Sequence, residues 1–198
     1  MKRLILLICM AMITLTACST GNATERTSTN IVENKVFATA DGKVELERKS
    51  ILSDKVEILI PKGFTEMSEE MAKIKYPSER RPPLIFTNED ASINVIFNNT
   101  TSASSNISIA EYKKELKSGM TNLYPSAKWY SDSVEKINGE TVGILELLSP
   151  GLDTQIYNLM FFMHLEGELL ICSVNTTEKQ MADWQPIAKE IMSSITLK

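Results

Sequence analysis

Within the body of this 198-residue chain, two side chains suited to enzyme chemistry lie eight positions apart, His164 and Cys172. His164 is the single histidine, and Cys172 sits alone in the apolar stretch Leu169-Leu170-Ile171-Cys172-Ser173-Val174. A zinc site draws three or four ligands from thiolates, imidazoles and carboxylates, and one imidazole with one thiol does not make an ordinary one. No Gly-x-Ser-x-Gly supplies a nucleophile for His164 to activate. The glycine patterns that cradle phosphate are missing too. Carboxylates cluster at Glu66, Glu69 and Glu70 and at Asp132 and Glu135, as on any solvated acidic face. His164 therefore reads as a partly buried residue near a strand end, and Cys172 as a small buried hydrophobe. We expect no enzyme, no metal and no cofactor.

Two stretches are better suited to binding than to bond making. Residues 73–83 join Lys73, Lys75, Arg80 and Arg81 to Tyr76 and three prolines. Arginine and tyrosine on a stiff loop give much contact area for little lost entropy, which suits an acidic partner. Trp129 and Tyr130 follow Pro125-Ser126-Ala127-Lys128 at the edge of a predicted strand, where one ring belongs in the core and the other is free to meet a partner.

The remaining reactive residue, Cys18, is defined by what precedes it. Lys2 and Arg3 start the chain, an apolar run follows from Leu4 to Leu15, and Leu15-Thr16-Ala17-Cys18 closes it. This is the layout of a secretory signal, too short for a spanning helix of about 20 apolar residues. Its last four residues resemble the bacterial lipobox. That resemblance implies cleavage before Cys18 and attachment of lipid, palmitate included, to its sulfur and amine, with Cys18 as membrane anchor. Each buried CH₂ contributes about 0.8 kcal/mol, so two or more acyl chains hold a protein on a membrane. Ser19 does not match the aspartate that retains such proteins at the inner membrane of enteric bacteria. The expected location is extracytoplasmic: the periplasmic face of the outer membrane in a Gram-negative cell, the outer face of the cytoplasmic membrane in a Gram-positive one.

We divide the chain into a signal at residues 1–17, the lipidated cysteine and a flexible Ser/Thr/Asn-rich tether at 18–34, and a single domain at 35–198. Loss of Lys2 and Arg3 from 21 basic residues, against 25 acidic ones, takes the net charge from −4 to −6. That balance argues against nucleic acid as a partner. With Cys9 in the signal and Cys18 lipidated, Cys172 has no disulfide partner.

The elements that must position these residues are legible from period and punctuation. Asp41-Gly42, Asn138-Gly139 and Glu166-Gly167 mark three hairpins. Along residues 156–165 both alternating sets are largely apolar, which predicts a central strand covered on both faces. Further strands are expected at residues 56–60, 84–87 and 92–98. Ser108 with Glu111 forms a capping box, and Ile109, Tyr112, Leu116, Met120 and Leu123 make one helical face ending near Tyr124-Pro125. A shorter helix is expected at residues 68–75. The C-terminal stripe Trp184, Ile187, Ala188, Ile191, Ile195 predicts a last helix with Pro186 in its first turn, after a separate turn from Thr177. Strands, helix, strands, helix without a βαβ rhythm define an α+β class: an antiparallel β-sheet of about six or seven strands flanked by helices.

This order and several of its residues resemble the PsbP/Mog-like superfamily, and within it the DcrB-type bacterial lipoproteins. The likeness lies in Ile58-Leu59-Ile60-Pro61-Lys62-Gly63-Phe64, in Leu84-Ile85-Phe86 followed by Ile93-Asn94-Val95, in the helix carrying Tyr112 to Leu116, and in the closing hairpin and helix from Tyr157 through Asn175 to Ile195. It covers about residues 55–198, so that the first hairpin reads as an addition to the family pattern. The resemblance implies an α/β/α sandwich and an action by binding other proteins; it implies no catalytic residue. The expected function is thus a membrane-anchored, non-catalytic protein-binding module of the cell envelope, with an envelope protein as partner. The alternative is a carrier of a small apolar ligand in a cleft between helix and sheet, prompted by the methionines and phenylalanines of residues 159–163.

Overall fold

The computed structural model describes residues 35–79, 81–100 and 107–198. The signal, Cys18, the tether and Arg80 lie outside the described residues. Among the described residues, eleven strands and three helices follow in order: β1 (Val36–Thr39), β2 (Gly42–Ile51), β3 (Val56–Pro61), β4 (Thr65–Glu66), α1 (Glu69–Lys75), β5 (Leu84–Thr87), β6 (Asn94–Thr100), α2 (Ile109–Leu123), β7 (Lys128–Ile137), β8 (Glu140–Pro150), β9 (Gln155–Leu165), β10 (Glu168–Thr177), a 3-10 turn (Glu178–Gln180), α3 (Met181–Ser193) and β11 (Thr196–Leu197).

Seven strands form one antiparallel sheet in the order β4-β5-β6-β10-β9-β8-β7, and the rest form a second in the order β1-β2-β3-β11. The α+β class and the antiparallel sheet expected from sequence are both present. The strand at residues 56–60 does not join the large sheet, however. It becomes β3 of the small one, because β2 and β11 pair with its two edges.

The three hairpins turn where the glycines stand. Asn138 and Gly139 both adopt positive φ (49° and 93°), as do Glu166 and Gly167 (51° and 82°), the geometry that matches the twist of the flanking strands. The β2–β3 turn is less orthodox, with Leu52, Ser53 and Asp54 in succession at φ 52°, 57° and 65°. Left-handed backbone costs a non-glycine residue on the order of 1–2 kcal/mol, and here Leu52 packs onto the core in return.

β9 is buried on both faces, as its two apolar sets require. Tyr157, Leu159, Phe161, Met163 and Leu165 join the larger core, which includes Val95 and Phe97 of β6, Ile58 and Ile60 of β3, and Trp184, Ile187 and Ile191 of α3. Met160 and Phe162 face the other way, onto Ile109, Tyr112 and Leu116 of α2. The capping box of α2 is complete: the Ser108 hydroxyl accepts from Glu111 N–H, and the Glu111 carboxylate accepts from Ser108 N–H.

α3 begins at Met181, ahead of the start expected at Pro186. Proline in the sixth helical position leaves the Ala182 carbonyl without its intrahelical donor, but both residues are exposed and water can serve it. Burial of Trp184 beside Ile187 and Ala188 holds the helix together across the proline. Phe64 stacks on the Trp184 ring with centroids 5.7 Å apart.

Gly143 of β8 stands opposite Phe162 of β9. A Cβ on Gly143 would lie 2.2 Å from Phe162 Cε2 and 3.0 Å from Ile109 Cγ2. Gly143→Ala must therefore push a fully buried ring against α2, and we expect it to lower unfolding free energy by about 2–3 kcal/mol. Gly119, inside α2 with open space around it, is the internal control. Gly119→Ala should raise stability by about 0.5–1 kcal/mol. Urea midpoints of the two variants, moving in opposite directions, check both.

Candidate functional site

At one end of the large sheet the chain leaves an open cleft of about 580 Å³. Three segments build it. The end of α1 and its C-cap supply Ile74, Lys75 and Tyr76; the β5–β6 turn supplies Asp90 to Ser92; the β8–β9 loop, residues 151–154, supplies Leu152 and Asp153. Asn94 and Asn175, paired across β6 and β10, lie at its floor.

The β5–β6 wall is held by its own polar groups. Asn88 O accepts from Ala91 N–H (3.1 Å) and Asn88 Oδ1 from Ile93 N–H (3.0 Å). Asp90 Oδ1 accepts from Ser92 N–H at 3.0 Å. Hydrogen bonds from the Ser92 side chain and backbone hold the Asp90 carboxyl below its usual range, with a smaller effect of nearby Lys75. Ala91 is buried with φ 54°, a conformation that persists only where its surroundings impose it. The Lys75 ammonium imposes it by donating to the Ala91 carbonyl, so that α1 is clamped to this turn.

The floor is a continuous polar chain. Asn94 Nδ2 donates to Asn175 Oδ1 at 2.9 Å, and the Thr87 hydroxyl donates to Asn94 Oδ1 at 2.8 Å. The Asn175 amide also reaches the Tyr76 hydroxyl, whose pKa burial pushes up and Asn175 partly restores. Above this floor stand two aliphatic side chains with little cover. Leu152 is fully exposed, at 107% of its reference area, and Ile74 is 70% exposed.

Of the residues picked out from sequence, Lys75 and Tyr76 reach this cleft. Lys73 instead pairs with Glu69 one turn back at 2.6 Å, and Arg81 Nε donates to the Ser78 carbonyl at 3.3 Å. Arg80 lies outside the described residues. Trp129 and Tyr130 sit on β7, the edge strand, at the same end of the sheet but outside the cleft lining. Trp129 is half-buried against the α2 cluster, with Lys117 Nζ 5.3 Å from its ring centroid. Tyr130 falls at a register shift between Trp129 and Ser131, 37% exposed, under Lys128 Nζ at 5.0 Å. One ring is packed and the other exposed, as their adjacency on a strand demands. Ile74, Leu152, Asp90 and Asn94 were not singled out from sequence. Leu152 alone carried a signal, an aliphatic residue in a loop between Pro150-Gly151 and Asp153-Thr154.

The inner part of the seam between α2 and the sheet is filled. The Tyr112 ring meets Phe162 edge-on with centroids 5.1 Å apart, and Leu116, Trp129 and Met160 pack beside them. Toward the edge strand β7 an open cleft of about 550 Å³ remains between helix and sheet, lined by Lys113, Lys117, Ser118 and Thr121 of α2 and by Asp132 and Val134 of β7. Cys172 is completely buried, and desolvation pushes its thiol pKa far up. His164 Nε2–H donates to the Ile107 carbonyl at 3.2 Å. Among the described residues, no group of three His, Cys, Asp or Glu side chains is placed to hold a metal ion, and no helix is long and apolar enough to cross a membrane.

A buried carboxylate lies under α3. Glu146 of β8, 1% exposed, accepts from the Tyr157 hydroxyl at 2.9 Å and from Gln185 Nε2 at 2.6 Å, with Lys189 Nζ at 3.2 Å. Burial, then the Glu146 charge and hydrogen bond, push the Tyr157 phenol pKa far up, so the phenol stays the donor. The group ties α3 to the sheet and has no opening to the cleft lining.

The architecture is that of known proteins. The solution structure of cyanobacterial PsbP from Synechocystis superimposes with a TM-score of 0.57 at 14% identity, covering 82% of this chain and 94% of that one. LpqN of Mycobacterium tuberculosis, described as involved in cell envelope biogenesis, gives 0.51 at 11% identity over 80% and 93%. A Pseudomonas aeruginosa protein of unknown function gives 0.50 at 11% over 77% and 97%. The chain thus has the PsbP-like fold that its strand and helix order implied. No family model matches the chain, and no curated protein matches it at a significant level.

At β7, Asp132 receives both Lys113 and Lys117 from α2, the latter at 2.5 Å. The hydrogen bonds from the two lysines hold its carboxyl below the usual range. A depressed folded-state pKa gives stability that is present above the unfolded value of about 3.9 and is lost as pH falls through the folded one. Asp132→Asn should therefore cost about 0.5–1 kcal/mol at pH 7. The difference from the parent should close as pH falls through that lowered range; denaturant titrations at neutral and at acid pH measure it.

Proposed function

We propose that the chain is a lipid-anchored, non-catalytic module that binds another protein of the cell envelope. The observation that carries this reading is the pair of uncovered aliphatic side chains, Ile74 and Leu152, lining a single cleft built on clamped turns. Large exposed aliphatics gathered around one concavity favour a protein partner over a soluble metabolite. The cleft rim takes over the role expected of the whole 73–83 stretch, to which it contributes Lys75 and Tyr76. The lipobox-like Leu15-Thr16-Ala17-Cys18 supplies the anchor, and the cell-envelope involvement of LpqN supports the location at the level of fold likeness alone. Cys18 as first mature residue leaves residues 19–34 as a tether that keeps the domain near the bilayer.

Cells fed labelled palmitate should transfer the label to the full chain and not to a Cys18→Ala variant, which should leave the membrane fraction. Label on both, or on neither, overturns the anchor. Crosslinking in native membranes followed by affinity capture should enrich one envelope protein with the anchored form and lose it with Cys18→Ala. Absence of any enriched protein from both forms overturns the binding reading.

A further inference from the structure

The two walls of the cleft differ in chemistry from its floor, and this restricts what enters. Leu152 tips a four-residue loop closed by Gly151 N–H donating to the Thr154 carbonyl at 2.8 Å. A Cβ at Gly151 would stand 2.6 Å from that carbonyl oxygen, so only glycine permits the closure. The leucine is thus displayed on a stiff support and loses little freedom when a partner covers it. Ile74, at the end of α1, lines the same cleft. Asp90 and Asp153 also line the cleft, and Lys75, which donates to the Ala91 carbonyl, is the one cation of its described lining. Two carboxylates against one ammonium leave that described lining net negative.

Resting on the binding-module reading above, we propose that the cleft receives an extended segment of the partner protein in which a lysine or arginine adjoins an apolar side chain. The apolar group is held by Leu152 and Ile74, and the cation faces Asp90 and Asp153. An acidic segment meets repulsion from both carboxylates, and a purely apolar one desolvates them without adding a countercharge. The preference is opposite in sign to the one that the arginines of residues 73–83 suggest when read alone.

The test uses the full-length chain in its own membrane. A photoreactive benzoylphenylalanine replaces Leu152 in one variant, Thr154 in a second, so that loss of the leucine does not blind the experiment, and Val134 on β7 in a third. Crosslinked partner peptides are then sequenced. The proposal expects adducts from position 152 or 154, none from 134, and a lysine or arginine within about two residues of the attached apolar residue. It expects at least a tenfold lower yield from position 154 when Asp90→Asn and Asp153→Asn are combined, with an unchanged circular dichroism spectrum. Adducts from 134 alone overturn the cleft and leave the binding module standing. Adducts from 152 or 154 on an acidic segment, or a yield indifferent to the two aspartates, overturn the charge preference. Adducts from none of the three overturn both readings.

Discussion

Everything in this domain answers to the double burial of β9. A strand with apolar residues on both faces cannot sit at a solvent boundary, and each face demands its own cover. Toward α2 the requirement is met by one helix, through Ile109, Tyr112 and Leu116 on Phe162 and Met160. Toward the other side one helix is not wide enough, and the small sheet shares the task with α3: Ile58 and Ile60 of β3 meet the same core as Ile187 and Ile191. The division of the strands into two sheets follows from that shortage of cover. The cleft opens at one end of the large sheet, where the end of α1 and two strand-connecting turns stand around the strand ends.

The polar contacts serve the same arrangement. Glu146 lies on the core face of β8, in register with Val142, Ile144 and Leu148, where a carboxylate is costly unless fully partnered. Tyr157, Gln185 and Lys189 partner it from a strand and a helix, which fixes how α3 lies on the sheet. Asn94 and Asn175 act comparably at the cleft floor, where two strands end together and amides replace apolar packing. Both groups trade hydrophobic area for a defined orientation.

Period and turn chemistry made most of the framework readable. The two apolar sets of residues 156–165 announced a strand with two covers, and Asn138-Gly139 with Glu166-Gly167 announced its neighbours. Pairing partners beyond a hairpin are set by tertiary contact, and so the transfer of β3 to another sheet left no local trace. Pro186 misled for a related reason: propensity places it at a helix start, and burial of Trp184 overrides that preference. The site was only half legible. Lys75 and Tyr76 stood out by composition, but Lys75 donates to the Ala91 carbonyl, a contact 16 residues away that no spacing reveals. Leu152 carried only the weak signal of an aliphatic residue in a loop, and its full exposure makes it informative.

The contact between Gly143 and Phe162 has a consequence for how sequences with this packing can change. A side chain at 143 is admissible only after the ring at 162 has been reduced, and a reduced ring beside glycine leaves a void under α2. Each single step lowers stability, and only the double exchange restores volume. The two positions are therefore bound as a pair in inheritance: among chains that keep this helix on this sheet, glycine opposite an aromatic should be replaced together or not at all.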